Sequence, residues 1–194
     1  MGWTIPHSMN SRDQLVEWLL REQNNPGHCE IIDHSRRGNV LYTVFRHLPK
    51  QYRFIVVFLL EGPTPASRRA GDCSWGYRDM DESMGPFVYD CPERLLRQSD
   101  LQDDQAVEWR EHCRRQRRER AARRKLASEC RAGDRLQLKA GCDRDGQPTA
   151  TVVFVRAHTA TFFIGKDTDG KPWRYRWSSV VIDTPLKASS RDAA

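Results

Sequence analysis

Leu15, Trp18, Leu19 and Glu22 fall at i, i+3, i+4 and i+7, and Val16 and Leu20 widen the apolar stripe. That period predicts an amphipathic helix. Ser11 supplies its N-cap, Asp13 sits in its first turn, and Asn24-Asn25-Pro26-Gly27 stops it after Gln23. The period then shortens. Cys29–Asp33, Val40–His47 and Arg53–Glu61 read as strands, separated by turns at Arg36-Arg37-Gly38-Asn39 and Pro49-Lys50. Gly62–Gly71 reads as an exposed loop, and Ser74–Met80 as a fourth strand. Cys91-Pro92 opens a short helix through Gln98, with Pro at the favoured first position.

A long helix follows, and then the pattern changes again after Ala132-Gly133. Asp134–Ala140, Ala150–Ala157, Thr159–Gly165, Trp173–Trp177 and Val180–Asp183 are five short strand candidates. Turns at Asp143-Arg144-Asp145-Gly146 and Asp167-Thr168-Asp169-Gly170 separate them, and Ser178-Ser179 suits a single tight turn before the last. The expected fold class is α+β: an antiparallel sheet with flanking helices, a long basic helix, and a C-terminal SH3-like small β-barrel. The expected division is 1–103 for the first domain, 104–130 for the connecting helix, 131–186 for the barrel and 187–194 for a disordered tail.

The charge is unevenly placed. The chain of 194 residues carries a formal +6. Between Glu108 and Leu126 stand Arg110, Arg114, Arg115, Arg117, Arg118, Arg120, Arg123, Arg124 and Lys125, against Glu108, Glu111 and Glu119. That excess equals the whole net charge. Guanidinium forks match phosphate oxygens, so Arg114–Lys125 reads as a surface for nucleic acid or another acidic partner. The competing reading is a solvated connector. Ala106, Trp109 and Cys113 recur at helical spacing, so the first turns are expected to pack on the N-terminal domain, whereas Arg114–Arg120 holds no apolar residue. Arg174 and Arg176 alternate with Trp173, Tyr175 and Trp177. On a strand this gives one basic and one aromatic face. The aromatics are expected to fill the barrel and the two arginines to extend the basic surface. An exposed aromatic-basic strand that stacks bases is the alternative.

Trp75-Gly76-Tyr77-Arg78-Asp79-Met80-Asp81-Glu82-Ser83-Met84-Gly85-Pro86 packs three carboxylates into four positions beside a Gly-Pro turn. Such a strand end is able to hold a divalent metal, with Asp79 and Asp81 on one side. If the chain is an enzyme, Asp79, Asp81 and Glu82 are its candidate catalytic residues, for metal-assisted phosphodiester hydrolysis. Otherwise Trp75, Tyr77, Asp79, Asp81 and Glu82 form a binding surface, or the acids cap turns and pair with Arg78 or Arg53. Together with Met1-Gly2-Trp3-Thr4, Cys91-Pro92 and Trp109-Arg110, this segment resembles an uncharacterised family carried by prophages, plasmids and integrative elements. Arg78 stands where many such relatives are expected to have Lys. The resemblance implies a setting among accessory proteins of mobile DNA, where anti-restriction and anti-CRISPR functions occur. It implies no activity.

Other chemistry is thinly represented. Cys91 at a helix start is a candidate thiolate, but a partner such as His28, His34 or His47 must come from elsewhere, and a buried or capping role is preferred. The close Cys/His pairs, His28-Cys29 and His112-Cys113, are adjacent, which is not zinc-ligand spacing. No phosphate-binding glycine loop or dinucleotide fingerprint occurs, so no cofactor or metal is expected. No export signal or membrane-length apolar run is visible, so the six cysteines read as free thiols of a cytoplasmic protein. The expected function is that of a non-enzymatic, mobile-element binding protein. Its expected partner is nucleic acid or a nucleic-acid-handling host complex, with anti-defence as the specific version. A hydrolase and a protein–protein scaffold are the alternatives.

Overall fold

A computed structural model describes residues 3–6, 9–69, 71, 73–85, 88–142 and 150–182. The chain forms two compact units, Met1–Gln116 and Arg117–Ala194.

In the first unit, helix α1 spans Arg12–Glu22. The Ser11 hydroxyl accepts the Gln14 N–H, as its N-cap position predicts. Strands β1 (Cys29–Arg37), β2 (Val40–His47), β3 (Arg53–Glu61) and β4 (Gly76–Asp81) form an antiparallel meander in the order β1-β2-β3-β4. The β1–β2 turn closes with Arg37 opposite Val40, and Gly38 takes φ 60° there, a conformation that favours glycine.

Both faces of this sheet are covered. Leu41, Phe45, Phe58, Leu60 and Tyr77 pack with Leu15 and Leu19 of α1. Tyr42, Val44, Ile55 and Val57 face the opposite side, with Leu95 and Leu96 of α3 (Glu93–Leu96) and Trp109 and Cys113 of α4 (Asp104–Glu129). Two buried faces explain why β2 and β3 read as near-continuous apolar runs rather than as alternation. The expected packing of Ala106, Trp109 and Cys113 is present: all three are buried, and the Trp109 indole N–H donates to the Val88 carbonyl at 3.1 Å. Burying an aromatic of this size contributes about 1.5–3 kcal/mol, enough to seat the first turns of an otherwise polar helix.

Three local expectations are corrected here. The Gly62–Gly71 loop contains helix α2 (Pro65–Arg69), whose Ser67 N–H is accepted by the Thr64 hydroxyl at 3.1 Å. The first strand runs four residues beyond Asp33, to Arg37, because a ladder partner on β2 exists for each of them. The helix after Pro92 ends at Leu96, where the Arg97 and Gln98 N–H groups already bond back to Glu93 and Leu95.

In the second unit, the end of α4 brings Leu126, Ala127 and Cys130 against a core of Leu136, Leu138, Val152, Phe154, Phe163, Tyr175, Trp177 and Val180. Strands β5 (Arg135–Leu138), β6 (Ala150–Ala157), β7 (Phe162–Lys166) and β8 (Pro172–Arg176) form a second antiparallel sheet in sequence order. This sheet is open. A 3-10 turn, Trp177–Ser179, interrupts the ladder after β8, so the expected fifth strand is reduced to an isolated bridge between Val180 and Leu138. Two hydrogen bonds secure it, Lys139 N–H to the Ser179 carbonyl at 2.8 Å and Val181 N–H to the Gln137 carbonyl at 2.9 Å. The Asp143–Gly146 turn, Pro86, Asp183 and the 187–194 tail lie outside the described residues. Among the described residues no helix is long and apolar enough to cross a membrane.

Candidate nucleic-acid interface

The acidic motif resolves into three separate jobs. Asp81 ends β4 and caps the following 3-10 turn, Glu82–Met84: its Oδ1 accepts the Ser83 and Met84 N–H groups at 2.9 and 3.0 Å and the Ser83 hydroxyl at 2.6 Å. Asp79 points to solvent. Glu82 turns inward and is 0% exposed. Its Oε2 takes Arg110 Nη1 at 2.7 Å, and its Oε1 accepts the Ile55 N–H at 3.0 Å and the Ser99 hydroxyl at 2.5 Å. Arg110 also donates to the Ser99 hydroxyl and the Leu101 carbonyl, at 2.8 and 2.6 Å. Burial pushes the Glu82 carboxyl upward, and its Ser99, Arg110 and Ile55 donors pull it back.

Asp79, Asp81 and Glu82 thus point to three different places, and among the described residues no three His, Cys, Asp or Glu side chains gather as a metal would require. The motif is not a continuous surface either. Tyr77 is buried on the α1 side, Trp75 is half-buried, and Glu82 lies in the core. The predicted partners of the acids were Arg78 and Arg53. The observed partner of Glu82 is Arg110, and Arg53 pairs with Asp100 instead, Nε to Oδ2 at 2.9 Å. A sequence signal for Arg110 existed. It lies four residues after Ala106 and three before Cys113, inside the buried stripe, where a charge needs a buried counter-charge. Cys91 is likewise fully buried, beneath the sheet rather than at an open helix end.

The basic helix is only partly spent on its own carboxylates. Arg114 binds Glu111 at 2.7 Å and Glu93 at 3.4 Å. Those partners outweigh its burial and hold its guanidinium above the ordinary value. Arg123 binds Glu119 at 2.7 Å, and Lys125 lies 3.9 Å from Glu129. Arg115, Arg118 and Arg124 are exposed and, among the described residues, have no ion-pair partner, while Arg120 is exposed and Arg117 half-buried.

Charge is divided sharply between the units. Residues 1–116 hold 15 Lys and Arg against 17 Asp and Glu, a formal −2, whereas residues 117–194 hold 17 against nine, a formal +8.

The outward face of the second sheet adds residues that the sequence reading passed over. Cross-strand pairs put Arg156, Ile164 and Arg174 in one row, and Phe162 and Arg176 in the next. Directly paired residues share a face, so these five side chains stand together opposite the core. Arg174 lies 4.7 Å and Arg176 5.5 Å from the centroid of the Phe162 ring. Tyr175 and Trp177 fill the core behind them, as expected of alternating residues. Trp173 does not: it is 37% exposed at the start of β8, and its indole N–H donates to Asp167 Oδ2 at 2.9 Å. The signal for Phe162 was the Phe162-Phe163 doublet. In a strand two consecutive aromatics cannot both face inward.

A family model described as a domain of unknown function (DUF6927) matches residues 100–180. The matched segment takes in α4 and the four strands of the second sheet. No curated protein and no solved structure matches the chain.

Proposed function

We propose that this protein binds nucleic acid, or a nucleic-acid-handling complex, through the cationic surface of its C-terminal unit. The observation that carries the reading is the segregation of charge: +8 on residues 117–194 beside −2 on residues 1–116. A chain that needed positive charge only for solubility has no reason to concentrate it this way. Exposed Arg118 and Arg124 on the helix, and Arg156, Arg174 and Arg176 on the sheet, with no ion-pair partner among the described residues, supply guanidinium forks of the kind that read phosphate oxygens. The single bridge between Leu138 and Val180, following a 3-10 turn, supports an SH3-like relationship for this unit.

The resemblance of the Gly76–Pro86 stretch to accessory proteins of prophages, plasmids and integrative elements supports a role within mobile DNA. Occupying the nucleic-acid path of a host restriction or CRISPR complex is the specific form of that role. The direct test is a fluorescence-anisotropy titration of the full chain against labelled oligonucleotides at about 50 and about 200 mM salt. Phosphate contacts predict binding at the lower salt that weakens steeply at the higher. No binding at either would overturn the proposal.

A further inference from the structure

We infer that the outward face of the second sheet is a stacking platform for single-stranded nucleic acid, built from Phe162 with Arg174 and Arg176 and flanked by Arg156 and Ile164. This rests on the nucleic-acid reading above and narrows it to one class of strand.

Three observations converge on it. First, the two guanidinium groups lie over one ring, at 4.7 and 5.5 Å from its centroid. A guanidinium held on an aromatic face is pre-ordered, so little rotamer freedom is left to lose when a ligand arrives. Its other face is open to solvent, since both arginines are exposed and, among the described residues, neither has an ion-pair partner. Unpaired bases stack on guanidinium planes and aromatic rings, and bases inside a duplex do not present that surface.

Second, the platform contains apolar as well as charged area. Phe162 and Ile164 remain partly exposed on the sheet face, in adjacent rows with Arg156, Arg174 and Arg176. A face built only for phosphate has no use for them, whereas the π-faces of bases do. Third, strands β6, β7 and β8, which form this face, contain no Asp or Glu. Neighbouring phosphates therefore meet Arg156 and Lys166, while the Asp167 carboxylate after Lys166 is held by the Trp173 indole N–H.

The experiment compares wild type with the Arg174→Lys/Arg176→Lys variant. Lysine keeps both charges and removes both planes. The probes are labelled 20-nucleotide oligo(dT), 20-nucleotide oligo(U) and a duplex of the same length, read by anisotropy at one salt concentration, with thermal melting to verify folding. Phe162→Leu, which keeps an apolar residue on the strand, is the second variant. The expected result is a wild-type preference for single strands over duplex that falls by about tenfold or more in both variants, because single-strand affinity drops further than duplex affinity. An advantage for oligo(U) over oligo(dT) would assign RNA, and the reverse DNA. A double-lysine variant that holds both single strands as tightly as wild type overturns the platform while leaving the nucleic-acid reading in place. Failure of wild type to bind any of the three probes overturns both.

Discussion

Glu82 and Arg110, 28 positions apart, meet as a buried ion pair at 2.7 Å, with side chains 0% and 8% exposed. The pair joins the end of β4 to the first half of α4, and Ser99 and the Ile55 N–H complete its shell. Deleting one partner strands the other charge in the core. Arg110→Met and Glu82→Met are each expected to cost about 3–5 kcal/mol in urea denaturation. The double variant is expected to lose much less than the two together, because no lone charge remains. Additive losses would mean that the pair is not coupled.

Gly62 lies flush against an indole. A Cβ built there would come within 2.7 Å of the Trp75 ring. Gly62→Ala is therefore expected to displace Trp75 and destabilise the first unit by about 1–3 kcal/mol, with a shift in tryptophan emission. Unaltered stability and emission would contradict the contact.

Acid should loosen the first unit. Burial pushes the Asp100 carboxyl up, but the Arg53 N–H and guanidinium outweigh it and hold it below the ordinary value. Asp33 is depressed in the same way: its burial is outweighed by Arg94, Gln98 and the His34 N–H. A carboxylate depressed in the folded state stabilises above its unfolded value, about 3.9, and that contribution is lost as pH falls through the folded value. Glu82, pushed upward, acts in the opposite sense and offsets part of the loss. The melting temperature is expected to drop as pH falls below about 4. Asp100→Asn is expected to lower it at neutral pH and flatten the acid side of the profile.

The thiols should separate by environment. Burial, with Asp134 and Glu129 nearby, pushes the Cys130 thiol up to about 11. Cys91 and Cys113 are buried in the first unit, whereas Cys73 and Cys142 are exposed. Brief alkylation at neutral pH, read by peptide mass spectrometry, is expected to label Cys73 and Cys142 and to spare Cys91, Cys113 and Cys130. Early labelling of Cys130 would contradict its packing beneath the second sheet.

The helix and strand boundaries of α1, β2, β3, α4 and β6 were legible because each has a period or a cap that acts locally: Ser11 before α1, the apolar runs of β2 and β3, and Asp103 accepting the Gln105 and Ala106 N–H groups at the start of α4. The turn-capping role open to the acidic motif is seen at Asp81, but the partner of Glu82 was not legible, for a physical reason. Local spacing says which side of a strand a carboxylate leaves from, but not that Arg110 arrives from a helix 28 positions later to bury it. Closure of the second sheet was over-read, because the tight turn at Ser178-Ser179 is present but the ladder beyond it shrinks to Val180. The Phe162 face was not legible because local spacing along β8 does not encode the ladder register that sets Phe162 opposite Arg176 and Ile164 opposite Arg174.

The most direct test of the charge-segregated interface is the slope of log K against log salt for binding to single-stranded oligonucleotide. It should be measured for wild type, for a variant with Arg118, Arg124, Arg174 and Arg176 changed to Gln, and for a control with Arg21 and Arg68 changed to Gln. Each lost phosphate contact is expected to flatten the slope by about 0.7, so the four-residue variant flattens by up to about 2.8 and the control keeps the wild-type slope. Equal slopes in all three proteins, or flattening in the control alone, would contradict a binding surface on the C-terminal unit.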